Sequence, residues 1–417
     1  MTTLLTRGAL FPILGLLPFA TASAEGFIDD SKLKLQLRNV YFNENFRDEH
    51  GMSPRAARTA KSERTEWAQG LLLDYQSGFT PGTVGFGVDA LGLLGVKLDS
   101  GRGRSGTGLL PVHDDGRAAD EFASAGMTAK ARLAKTTVKY GTLLPKTPVL
   151  IYNDARLLPQ TYQGTQISSN DIDNLTLTGG YLERFKLRDS SDSMPIVPDG
   201  YGGDQSGDFS YAGGDYKLTK NLRLSYFYGE LENFYRQHFA GIQHDLPLGP
   251  GVLTSDLRYF YSADSGSAYG GKVDNDMLSG LLSYAVIGLT FSAGYQELSG
   301  EGGLPYVSGA TVYSFSNAGI GKFIEEDEKT WMLGYGYDFA RLGLPGLTLT
   351  GRYLSGNDGK SNSTVKEWER DAEIAYVVQQ GTFKGLGVKL RNYVYRSDFS
   401  RGRDSNRVYV TYDVALW

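Results

Sequence analysis

The chain has 417 residues, no cysteine and a formal charge of −5. This mild acidity argues against a nucleic-acid binder, and without cysteine neither disulfides nor thiolate metal sites form. The 54 glycines suit tight turns, and aromatics dominated by 27 Tyr and 20 Phe suit strands whose side chains have one apolar and one wet end.

Taken in chain order, MTTLLTRGALFPILGLLPFATASA comes first: one Arg, an apolar run over 8–20, then Ala22-Ser23-Ala24. This is the pattern of a secretory signal peptide over 1–24, with the mature protein, 25–417, beginning at Glu25. The apolar run is shorter than the roughly 20 residues that span a bilayer. Period-two alternation follows, the signal of strands. SKLKLQLRNVYF sets Leu33, Leu35, Leu37 and Tyr41 on one face, against Lys32, Lys34, Gln36 and Arg38. KTWMLGYGYDF groups Trp331, Leu333, Tyr335, Tyr337 and Phe339, and LTLTGRYL sets Leu347, Leu349 and Tyr353 against Arg352. In GLGVKLRNYVYRS, Leu386, Val388, Leu390 and Val394 oppose Lys389 and Arg391, with Asn392 interrupting the apolar set. NRVYVTYDVALW sets Val408, Val410, Tyr412 and Val414 against Arg407, Tyr409 and Asp413.

Short Gly/Pro connections (SGFTPG, LPLGPG, RLGLPG, QGTFKG) alternate with longer polar stretches at 99–119, 143–160, 187–207, 298–329 and 355–365. Short turns at one end and long loops at the other describe an all-β transmembrane antiparallel barrel in the outer membrane, of about 18 strands. Only helices and closed barrels satisfy their backbone in lipid. The apolar face then looks at lipid, and parity turns the cations into an aqueous lumen, since Lys or Arg facing lipid costs roughly 2–4 kcal/mol at the midplane. Closure pairs the last strand with the first. This brings Arg38, Arg391 and Arg407 onto three neighbouring strands, with Lys389 on the same inner face and Arg352 two strands beyond Arg391. Such a wall attracts anions. The competing expectation is ordinary ion pairing to inward acids such as Glu369, Asp371, Glu373, Asp74 and Asp89. Arg396 has the opposite parity and falls near the outer rim, beside anionic lipid head groups.

Several words in one order, among them LRNVYFNENFRD, EWAQGLLLDYQSGFTPGTVGFGVDALGLLGVKLDSG, GTGLLP, YGTLLPKTPVL, NDARLLPQTYQG and EWERDAEIAYVVQQGTFKGLGVKLRNYVYRS, resemble the OprD-type substrate-specific porins of Gram-negative outer membranes. The resemblance runs over nearly the whole mature chain. It implies a monomeric barrel of 18 strands, embedded in outer-membrane lipid and lipopolysaccharide, with loops folded inward around an eyelet. It also implies a basic ladder, which would correspond to Arg38, Lys389, Arg391 and Arg407, with Arg352 less closely. Asp154 in the third loop is then a constriction-loop candidate. The run Glu325, Glu326, Asp327, Glu328 in the seventh is expected to be a solvated tip or strand start. An acidic loop facing a basic wall suits passive uptake of small anionic or zwitterionic solutes, basic amino acids or peptides first, with aromatic and other organic acids as the alternative. A plugged barrel serving as an adhesin or anchor is the reading outside this class. No cofactor, metal spacing among the four His residues, or nucleophile–base–orienter trio is legible, so no enzyme is expected.

Overall fold

The computed structural model describes residues 26–317, 319–358 and 366–416; the expected signal peptide, 1–24, and most of the stretch 355–365 lie outside the described residues. Eighteen strands follow in chain order. They are β1 (Lys32–Phe46), β2 (Glu63–Gln76), β3 (Val84–Ser100), β4 (Glu121–Leu133), β5 (Thr136–Leu143), β6 (Thr161–Ser169), β7 (Leu175–Lys186), β8 (Phe209–Thr219) and β9 (Leu222–Leu231). Then come β10 (Tyr235–Leu248), β11 (Gly251–Asp264), β12 (Asp274–Val286), β13 (Leu289–Glu301), β14 (Lys329–Asp338), β15 (Leu347–Asn357), β16 (Lys366–Val377), β17 (Gly387–Ser397) and β18 (Arg403–Ala415). Each pairs antiparallel with its neighbours in sequence. β18 pairs with β1 from Lys34↔Ala415 to Phe46↔Arg403, which closes the sheet and leaves no edge.

The alternation separates two environments. Leu333, Tyr335 and Leu390 are 57%, 52% and 47% exposed on the outside of the barrel. So broad an apolar band is the hydrocarbon-facing belt, because water would not tolerate it. The short turns share one end. Ile287 and Gly288 carry φ of 51° and 81°, as a two-residue type I′ hairpin requires. LPLGPG is shorter as a turn than its sequence suggests: β10 runs through Leu248 and β11 resumes at Gly251.

A barrel this wide cannot fill its lumen with wall side chains alone. Loops enter instead and bring apolar residues with them. Isolated bridges tie loop 3 to loop 7 (Ile151↔Thr311) and loop 4 to loop 7 (Pro198↔Val307). Leu150, Ile196, Val307 and Val312 are buried there with inward Tyr162, Phe185, Phe209 and Phe239. On the other side, Leu109 and Leu110 of GTGLLP and Leu157 and Leu158 of NDARLLPQ pack on Val40, Phe42, Ala68 and Leu72. Gly70 admits this contact, since a Cβ there would lie 3.1 Å from Leu157. The two leucine pairs therefore pin the loop segment that carries Asp154 and Arg156.

Candidate functional site: a basic wall facing the inward loops

Register decides which wall residues meet. One inward row runs across five strands as Glu373, Arg391, Arg407, Phe42 and Glu66, each opposite the next. Arg38 lies four residues further along β1 than Phe42, or about 13 Å at the strand rise. These cations are thus spread along the barrel wall instead of lying in one ring.

Most of these cations have acidic partners. Arg38 grips Asp154 of loop 3 with both terminal nitrogens, at 2.5 and 3.0 Å. Arg352 Nε donates to Asp371 at 2.6 Å. Arg391 Nε donates to Glu373, whose other oxygen lies 3.4 Å from Lys389 Nζ. Ion pairing, the competing expectation, therefore holds for Arg352, Lys389 and Arg391. Among the other acids named with it, Asp89 binds Lys130 and Lys139, and Glu369 accepts the loop 7 amides of Ile320 and Gly321 at 2.9 and 2.6 Å.

Arg407 differs. It is 3% exposed and lies between the rings of Phe42 (4.3 Å) and Tyr393 (4.4 Å). Its Nε donates to Ser405 Oγ at 3.1 Å and its Nη2 to the carbonyl of Gly319 at 3.2 Å. A Cβ on Gly319 would lie 2.1 Å from the Tyr393 ring, so glycine is what lets loop 7 reach the wall here. Among the described residues no carboxylate pairs with Arg407. Arg156 of loop 3 stacks on Phe42 at 4.7 Å and donates to the carbonyls of Thr107 (3.2 Å) and Ala155 (3.1 Å). Phe42 thus carries a guanidinium from the wall and another from the loop. Burial, then repulsion from Arg407 and Arg188, pushes Arg156 well below the usual arginine range. Arginine stays protonated regardless, so the shift marks a cation held away from water beside two other guanidinium groups. Arg188 of loop 4 is lowered by burial and by Arg407, against the opposing charge of Asp189.

Between these groups lies a chamber of about 360 Å³, lined by Arg156, Gly319, Arg352, Asp371, Glu373, Arg391, Tyr393 and Arg407 among others. Arg156 and Arg188 were not legible as site residues, because a loop position has no parity to place it. Arg64 was not among the expected wall residues although it shares the inward parity of Glu66 on β2; with Arg401 and Arg403 it surrounds the Phe46 ring. The acidic run of loop 7 is not a uniformly solvated tip. Glu328 is fully buried beside the start of β14, and burial with the neighbouring Glu367 carboxylate pushes it up to about 9. Arg396 is outward as parity requires, and its first partner is Asp404 at 2.7 Å. Arg391→Glu should therefore shift the reversal potential in a salt gradient strongly toward cations, and Arg396→Glu far less. Equal shifts for two folded variants would contradict the parity assignment.

A closed barrel with inward loops and a basic chamber is a solute channel of the outer membrane. Residues 25–416 match the family described as outer membrane porin, OprD family. The chain is 40% identical to the porin-like protein GalP of Pseudomonas putida, over 95% of its own length and 94% of that protein's. Pseudomonas aeruginosa OccK9 (OpdG) superposes with a TM-score of 0.89 at 40% identity, over 94% of this chain and 100% of that one. Pseudomonas aeruginosa OpdK, solved with vanillate, does so with 0.85 at 38% identity, again over 94% and 100%. The chain belongs to the OprD family of substrate-specific porins of the Gram-negative outer membrane, which are channels and not enzymes.

Proposed function

We propose that this porin passes small organic acids that carry a carboxylate on a compact uncharged body, aromatic or aliphatic. The observation that carries this reading is the charge balance of the chamber. Among the described residues Arg156 and Arg407 bond only carbonyls, a hydroxyl and rings, while Asp154, Asp371 and Glu373 are already bound to Arg38, Arg352 and the Lys389–Arg391 pair. A carboxylate meets two cations there that no carboxylate bonds, whereas the acids lining the chamber, Asp371 and Glu373, are already occupied. This favours organic acids over basic amino acids or peptides. The vanillate in the OpdK structure, an aromatic acid, supports the same class. Arg38, Lys389, Arg391 and Arg407 then act as steps for the carboxylate, with Arg352 at the side of the chamber. Attraction spread over several weak sites lets a solute leave as well as enter.

Liposome uptake of benzoate, arginine and a neutral sugar tests this reading. Benzoate should enter fastest. Arginine entering faster than benzoate would move the channel to the basic amino acid class, with Asp154, 36% exposed at its side chain, as the acid that receives the cation.

A further inference from the structure

The outer surface of the barrel carries an aromatic girdle. On β14 to β16 it is the stack Trp331–Tyr353–Trp368, with ring centroids 5.3 and 5.9 Å apart. On β1 and β2 it resumes at Tyr41 and Trp67, paired across the strands. Such girdles mark the boundary between head groups and acyl chains. On β17 and β18, between these two arcs, it stops. Asn392, Val394 and Arg396 on β17, and Asp404, Asn406 and Val408 on β18, point outward at that height and include no aromatic residue.

A bonded polar row fills the gap. Arg370 of β16 donates to Asn392 Oδ1 at 3.0 Å, and Asn392 Nδ2 donates to Asn406 Oδ1 at 2.8 Å. Asn406 faces Asn43 in register, and Asn43 Nδ2 donates to Thr65 Oγ1 at 2.9 Å. Just above, Arg396 and Arg47 share Asp404 at 2.7 and 2.5 Å. The seam from β16 to β1, with Arg47 just beyond β1, thus holds Arg370, Arg396 and Arg47; Asp404 sits between the last two, Asp48 lies beside Gly402 next to Arg396, and Glu63 is at the far edge on β2. Polar and cationic groups on a lipid-facing wall are costly unless head groups solvate them. Among the described residues Arg370 bonds an amide oxygen and no carboxylate, which leaves its charge open to an anion. Arginine suits phosphate by its planar fork of donors, and asparagine amides suit the hydroxyl and amide groups of a sugar-based head group.

We propose that this seam is a binding site for a phosphorylated glycolipid of the outer leaflet, with Arg370 and Arg396 on the phosphate and Asn392 and Asn406 on the sugar. The pore face of the same strands is untouched by it.

Native mass spectrometry of the full-length protein, purified in detergent, tests the site. The probes are a glycolipid bearing two phosphates and the same lipid with its phosphates removed. The wild type should retain the phosphorylated form selectively. R370Q should weaken retention by about tenfold, the scale of one lost charge-assisted contact, R370Q/R396Q by more, and N392L/N406L should weaken it for both lipids. Reversal potentials of these variants should equal the wild type, which also reports a folded barrel. The exposed single change R370Q gives the same reading if a double variant does not fold. Equal retention by wild type and R370Q would overturn the proposal, as would equal binding of the dephosphorylated lipid. A wild-type oligomer that R370Q dissociates would overturn it too, assigning the seam to a second copy of the chain.

Discussion

Arg156→Gln combined with Arg407→Gln should lower uptake of a monocarboxylate by about 30-fold and move ion preference toward cations. A unit charge about 8 Å from the carboxylate contributes roughly 2 kcal/mol at an effective dielectric of about 20. Water in the lumen lowers this to about 1 kcal/mol per cation. Two such losses give the stated factor. These two residues should matter more than their paired neighbours, because no carboxylate within bonding distance offsets their charge among the described residues. Both also stack on Phe42, so each change removes a cation–π contact of about 0.5–2 kcal/mol. Heat-dependent gel mobility separates a folded variant from a misfolded one. Unchanged benzoate uptake by a folded double variant would mean that carboxylate selection lies elsewhere in the pore.

Deleting residues 306–321 should raise single-channel conductance by roughly twofold or more and weaken selectivity together. The deletion removes Val307 and Val312 from the lumenal core, the Ile151↔Thr311 tie to loop 3, and the Gly319 carbonyl that holds Arg407. It also strips Glu369 of both amide donors, leaving a buried carboxylate without them. Loop 3 keeps its leucine anchors on β1 and β2, so part of the constriction should survive. Conductance at the wild-type value would show that loop 7 does not narrow the pore.

Strand parity was readable from the chain because a strand has a period of two and the two faces meet opposite solvents. Lys389 and Arg391 alternate with Leu390, and the structure turns the first two inward and the last to lipid. The turns and long loops were readable from their Gly, Pro and polar residues, and the pairing of β18 with β1 because an open sheet edge in lipid is too costly to occur. Which cations stay unneutralised was not readable. That depends on where loop 3 and loop 7 land, and loop residues obey no period. Arg156 reaches Phe42 only because Leu157 and Leu158 dock beside it, and Arg407 lacks an acid only because loop 7 presents a carbonyl there, while Glu373 is drawn to Arg391 and Lys389. The polar row on the outer wall lay half in view, with Asn392 an exception on an apolar face. Only the register set it beside Asn406 and Arg370, residues 14 and 22 positions away in sequence, because cross-strand neighbours are chosen by the pairing of adjacent strands and not by the alternation within one strand.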